Sequence, residues 1–377
     1  MQNIAQPWLA YTLTKSAFLL GLVGALQFTP LLLFSLFAGV LIDKFPKKKI
    51  LYLTQSTSLI ITLILAILVF SGRIQYWHIL VLATALGFAN TLDMPARQSF
   101  VIQLIGEKDL MNGIALNSAM FNVARIIGPA IAGIVMGHYG IGMCFLINSI
   151  SFAAVIVSLF FIHPLPIQSR PMGKNNVFTE IKEGLKYIYN HRILLDAILL
   201  MIVIGTFAMN NNVLVPVFSK IILKQGETGL GYLFSFVGVG ALIGAMLVAL
   251  MSKSGPNKFI IYVVPLIIGI FLIINSLTSI FLLAGLCLAI SGLLFNLFTS
   301  TINSTMQLNT TNEFRGRVMS VYTLVFAGST PIGNLYAGLA DDYIGARFGF
   351  AACGIIIVFL LIPIYLYKLR GRNKAGN

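Results

Sequence analysis

Acidic residues are scarce in this chain, 11 against 25 lysines and arginines in 377 residues, so the places where acids meet bases carry information. One stretch holds Gly39, Asp43, Lys44 and Lys47 to Lys49. Gly39 leaves room for a close helix contact one turn before Asp43. The Asp43 carboxylate suits the N–H-rich start of another helix, where partial positive charge accumulates. Lys44 and Lys47 can pair with carboxylates or lipid phosphate; Lys48 and Lys49 read as solvated, topology-setting lysines. Asp93 and Arg97 form a second cluster. Arg315, Gly316 and Arg317, following Glu313, open a later apolar run whose start is the expected docking point for Asp43. A fourth group is Arg125, Gly128, Pro129 and Gly133. Proline removes a helix hydrogen bond and bends the segment, while the glycines give it a smooth face for another helix. Plain small-residue packing is the alternative reading there.

The remaining polar groups inside apolar runs are mostly amides. Asn3, Gln6, Gln27, Asn90, Asn210, Asn211, Asn212 and Asn296 stand out, with Trp8 as an aromatic wall. In lipid each must find a partner or water, so any single asparagine serves as glue between helices or touches a substrate. Three consecutive asparagines cannot all face one neighbour. No acid falls mid-run, and His78, His138, His163 and His191 lie near run ends. No serine–histidine, paired-aspartate or histidine–histidine arrangement suited to chemistry lies inside a run, so an enzyme is not expected. Cys144, Cys287 and Cys353 are widely spaced and read as packing residues without disulfide or metal spacing. No metal or cofactor is called for.

The elements that hold these groups are membrane helices. The chain is 58% hydrophobic and 10% charged, whereas a soluble domain carries roughly 25% charged residues. Apolar runs recur at the length of about 20 residues that crosses a bilayer. They read as a partial first span at 1–13, then 16–41, 50–71, 74–94, 111–137, 141–162, 193–218, 229–252, 258–275, 280–304, 317–341 and 346–368. The net charge of +14 comes from lysines and arginines in short loops, which argues for topology and against nucleic acid. The richer set, which includes Lys44, Lys47, Arg315, Arg317 and the C-terminal tail, marks the cytoplasmic side. Segment 163–192 interrupts the spans. Val177, Ile181, Leu185 and Ile188 within it fall at helical spacing, so it holds either an amphipathic helix on the membrane face or an extension of the seventh span.

The halves echo one another at an offset of about 200 residues. Gly128 to Gly133 pairs with Thr330 to Gly333, Tyr139-Gly140 with Tyr343 to Gly345, and Asn3 with Asn211. Two six-helix bundles, 1–162 and 193–377, joined by a cytoplasmic linker at 163–192, are therefore expected. In this pairing Met1 matches Met209, midway along span 7, so the first helix is expected to lack about three turns.

The stretch from Gly39 to Lys49 resembles the signature loop of the major facilitator superfamily, Gly-x-Leu-x-Asp-Arg/Lys-x-Gly-Arg/Lys-Arg/Lys, with Pro46 in place of the second glycine. Arg125 to Gly133 resembles the antiporter signature of that superfamily. Asn90 to Phe100 and Glu313 to Ser320 are similar to the bacterial branch of transmembrane secretion effectors, or type-3 drug antiporters, which includes enterobactin-exporter-like proteins. The resemblance implies an all-α, twelve-span fold, a multi-pass protein of the bacterial inner membrane, and efflux of small amphipathic compounds, drugs or a siderophore. It also implies alternating access and proton antiport, with the lipid bilayer as surroundings and a monomer as the working form. Spans 1, 4, 7 and 10 line the cavity in that fold, which selects most of the amides above. Candidates for the coupling group are the Asp43, Asp93, Arg97 and Arg125 cluster and the Asp341–Asp342 pair. The alternatives are a lysophospholipid flippase of the same superfamily and a non-transporting sensor or inactive truncated remnant.

Overall fold

The computed structural model describes residues 1–105, 110–162, 177–251 and 255–373, and all regular structure among them is helical. In chain order the helices are α1 (Gln2–Thr14), α2 (Ala17–Lys44), α3 (Lys47–Phe70), α4 (Tyr76–Ile105), α5 (Leu110–Tyr139), α6 (Ile141–Phe161), α7 (Val177–Asn190), α8 (Arg192–Phe207), α9 (Asn211–Ile221), α10 (Glu227–Met251), α11 (Lys258–Tyr262), α12 (Val264–Leu277), α13 (Phe281–Leu308), α14 (Arg315–Ile344) and α15 (Phe348–Asn373). Eight helical segments among the described residues are long and apolar enough to cross a membrane. Backbone groups satisfied within each helix are what a bilayer requires. Large apolar side chains such as Phe160, Phe161 and Leu250 stand exposed, as lipid-facing residues do.

Local chemistry sets the breaks. Lys15, in the left-handed region, ends α1, and the Ser16 hydroxyl accepts from the Leu19 N–H to start α2. Gly140 (φ 82°) and Gly345 (φ 92°) turn the chain from α5 into α6 and from α14 into α15. Both sit in backbone conformations that favour glycine, and they are the two glycines that the internal repeat pairs. The seventh span is not one continuous helix. It divides into α8 and α9 at Ala208 to Asn210, with the Asn210 carbonyl accepting from Val213 and Leu214. Three asparagines are weak helix formers, and Pro216 cannot donate to the carbonyl of Asn212. The ninth span likewise changes direction at Val263, just before Pro265.

The chain forms two compact units: Met1–Asn175 with Gln225–Ser235, and Asn176–Lys224 with Phe236–Asn377. In the first, α2 packs along α4, α3 lies against α4 and α6, and α1 touches α2, α5 and α6. In the second, α12 packs on α13 and α15, and α14 is held by α7, α8, α9 and α15. α7 is a helix of its own, separated from α8 by extended His191. Among its described side chains Gly184 and Ile188 are buried, whereas Leu185, expected on the apolar face, is 51% exposed. The packed face is thus turned by about one residue, because α14 and not lipid alone selects it.

Candidate functional site

The corner between α2 and α3 rests on a small core of Ala38, Ile42, Ile50, Leu51, Ala96, Phe100 and Leu159. Burying these residues from α2, α3, α4 and α6 fixes where the charged residues emerge. Asp93 on α4 is the best-held acid there. One oxygen accepts from Thr54 Oγ1 at 2.8 Å and Gln55 Nε2 at 2.6 Å, and the other pairs with Arg97 at 2.7 Å. Thr54 and Gln55 carried no expectation, although they lie on the helix that follows the lysine cluster. Lys48 also has a structural task. Its ammonium donates to the Ile162 carbonyl at 2.7 Å, at the C-terminus of α6, where a positive charge is favoured. Lys44 is exposed and Lys47 half-buried. Gly39 and Asp43 fall in α2, and their side-chain surroundings lie outside the described residues.

The start of α14 is occupied by α7. Arg317 pairs with Glu183 at 3.0 Å and lies over the Phe314 ring. Tyr187 stacks on Phe314 with ring centres 4.7 Å apart and on His191 at 4.0 Å. Gly184 permits the approach, since a Cβ there would stand 2.6 Å from the Arg317 carbonyl oxygen. Arg315 and Gly316 are exposed.

In α5, Gly133 meets the first turns of α10. A Cβ on Gly133 would lie 2.8 Å from the Gly231 Cα and 2.9 Å from the Glu227 carbonyl oxygen, and one on Gly231 would lie 2.6 Å from the Pro129 carbonyl oxygen. Ser235 Oγ donates to the Ile126 carbonyl at 2.9 Å. Gly128 has nothing within 4 Å and Arg125 is exposed, so only part of this motif is engaged in packing.

The amides divide. Asn3 and Asn90 are exposed, and Gln27, Asn211, Asn212 and Asn296 are half-buried. Asn296 accepts from Ser300 Oγ at 3.4 Å. Gln6 is buried at the end of a chain in which Asn148 donates to Gln2 and Gln2 donates to Gln6, leaving Gln6 Nε2 without a partner. Trp8 is buried and donates from Nε1 to Glu227 at 3.0 Å. Asn210 donates to the Thr206 carbonyl of its own span at 2.8 Å. Three acids near the ends of the runs are held by the fold, of which only Asp341, with Asp342, is singled out from sequence. Asp196 is buried and accepts from Tyr262 at 2.7 Å, Glu227 accepts from Trp8, and Asp341 is buried without a partner. All three sit within a turn or two of helix ends, where hydropathy alone leaves them outside the membrane. Among the described residues no cluster of three metal-ligating side chains occurs.

Comparison with known proteins places this arrangement. The chain is 24% identical to the staphyloferrin A transporter of Staphylococcus aureus, over 100% of this chain and 94% of that protein. It is 25% identical to the multidrug efflux pump Tap of Mycolicibacterium fortuitum, over 99% and 93%. Its fold matches a crystal structure of the nucleoside transporter NupG with a TM-score of 0.78, at 12% identity, over 96% of this chain and 94% of that one. The family model described as transmembrane secretion effector matches residues 1–376. A chain of membrane helices matched over residues 1–376 by this family is a multi-pass membrane transporter and not an enzyme, and it belongs to the transmembrane secretion effectors of the major facilitator superfamily.

Proposed function

We propose that the protein exports small amphipathic compounds, drugs or a siderophore, across the inner membrane of a bacterium by alternating access, driven by proton antiport. The observation that carries this reading is the full-length similarity to a staphyloferrin A transporter and a multidrug efflux pump. The polar groups support it. Asn211, Asn212 and Asn296 are neutral and half-buried, which suits a substrate recognised by shape and a few hydrogen bonds. The break at Asn210 gives the seventh span irregular backbone, which at membrane depth is tolerated where protein or a water-filled cavity receives it. The basic loops support a cytoplasmic linker and C-terminus. The test is uptake of ethidium into inside-out vesicles with an imposed proton gradient. Accumulation that collapses with a protonophore supports the reading; vesicles that behave like empty ones with ethidium and with apo-siderophores overturn it.

A further inference from the structure

α14 carries two buried polar side chains seven residues apart, Asn334 and Asp341, hence on one face two turns apart. The facing helix α15 contributes Gly349 and Cys353, four residues apart. Gly349 closes directly on Asp341 Oδ1, so that a Cβ there would run into the carboxylate. Asn210, at the start of α9, completes the seam: its Nδ2 lies 3.9 Å from Cys353 Sγ, and its Oδ1 stands against Gly333. Both oxygens of Asp341, both amide atoms of Asn334 and Oδ1 of Asn210 have no hydrogen-bond partner. Asn334 and Asn210 are each 1% exposed and Asp341 is 5% exposed. Unpaired buried amides and an unpaired buried carboxylate along one helix seam are unusual, because each such group is unfavourable in apolar surroundings.

The groups that face Asp341 do not supply a counter-charge. Its own helix brings Asp342, α15 brings the Cys353 thiol, and α9 brings Leu214 to the same spot. Among the described residues Asp341 makes no ion pair. A buried acid with no cation beside it is a candidate functional group. Gly349 and Leu214 crowd one side of the carboxylate, which disfavours a hydrated metal cation there. A proton needs no such space, and it neutralises a buried carboxylate that has no cation beside it.

We propose that Asp341 is the proton-carrying carboxyl of this transporter. It is protonated and neutral while the α14–α15 seam is closed, and it releases the proton to water when the seam opens. The proton binds one carboxylate oxygen and takes the side chain from negative to neutral; no other bond changes. Charge on Asp341 then favours the open seam and its loss favours the closed one, which is the differential binding that couples an ion to a conformational change. The coupling role rests on the exporter reading above; proton binding does not.

The test uses the full-length protein in lipid nanodiscs. Infrared difference spectra between neutral and strongly alkaline buffer should show the carbonyl-stretch band of a protonated carboxyl in the wild type. That band should vanish in Asp341→Asn and persist in Asp342→Asn. Asp341→Glu keeps a carboxyl and should shift the band's frequency, which covers the case of an Asn variant that fails to fold. No such band in the wild type, or a band unmoved in Asp341→Glu, overturns the proposal. In inside-out vesicles Asp341→Asn should lose gradient-driven ethidium accumulation while keeping ethidium exchange without a gradient. Loss of both together overturns the coupling role, and a wild type inert to ethidium counts against the exporter reading while leaving the infrared result standing.

Discussion

Asp93 shows how one acid organises its surroundings. Three side chains converge on it, and its own side chain is 13% exposed, whereas that of Arg97 is 52% exposed. Removing the carboxylate strands the amide of Gln55, while the Thr54 hydroxyl keeps the Leu51 carbonyl at 3.2 Å. Asp93→Ala is therefore expected to lower stability by about 1–3 kcal/mol, read as a fall in Tm in detergent. Arg97→Ala should lose less than about 1 kcal/mol, because exposed ion pairs contribute little; the reverse order would contradict this account. Lys48 and Lys49 look alike in sequence, yet only Lys48 reaches the end of α6. Lys48→Ala should lower Tm by a margin corresponding to about 0.3–1 kcal/mol, and Lys49→Ala should leave it unchanged. The closeness of Asp93 and Arg97 was legible from their charges and their spacing of four residues. The task of Lys48 was not, since Ile162 lies 114 residues away and nothing local marks it.

At the scale of helices, the motif from Arg125 to Gly133 holds two glycines of unequal consequence. Gly133 touches backbone on the first turns of α10, which cannot yield as a side chain would, and Gly128 faces open space. Gly133→Ala should destabilise by about 1–3 kcal/mol, the usual range for overpacking, and reduce ethidium transport at matched abundance. Gly128→Ala should leave Tm unchanged. α7 offers a second comparison. Gly184 lets it sit on α14, with Glu183 and Tyr187 reaching Arg317 and Phe314. Gly184→Leu should undock it, seen as faster amide hydrogen exchange across Val177–Asn190; unchanged exchange would show that lipid and not α14 holds this helix. The helical period of α7 was readable in advance, but its packed face was not, because Leu185 and Ile188 are equally apolar and only the neighbour chooses between them.

At the scale of the whole molecule the open matter is orientation. Lysines and arginines gather on one side of the spans, and positive loops stay in the cytoplasm. Lys49→Cys and Tyr343→Cys, both at exposed positions, should be labelled by a membrane-impermeant maleimide from opposite sides of the membrane. The native cysteines Cys144, Cys287 and Cys353 are buried, so background labelling should be low. Labelling of both from one side would refute the topology and with it the cytoplasmic position of the Asp43 loop.

Composition and periodicity determined the solvent of this protein and its helical class, because a bilayer admits helices of a narrow length range, while the family was legible only through the resemblance of motifs such as Gly39 to Lys49. They also marked the glycine corners at Gly140 and Gly345, since a left-handed backbone selects glycine. Which polar groups end up paired was decided only by the tertiary structure. Asp93 gained Thr54 and Gln55, Trp8 gained Glu227, and Asp196 gained Tyr262, while Asn334 and Asp341 gained nothing. A hydrogen bond depends on which helices become neighbours and at what rotation. Those neighbours are set by side-chain packing between segments far apart in the chain, and no local window of residue types contains that information.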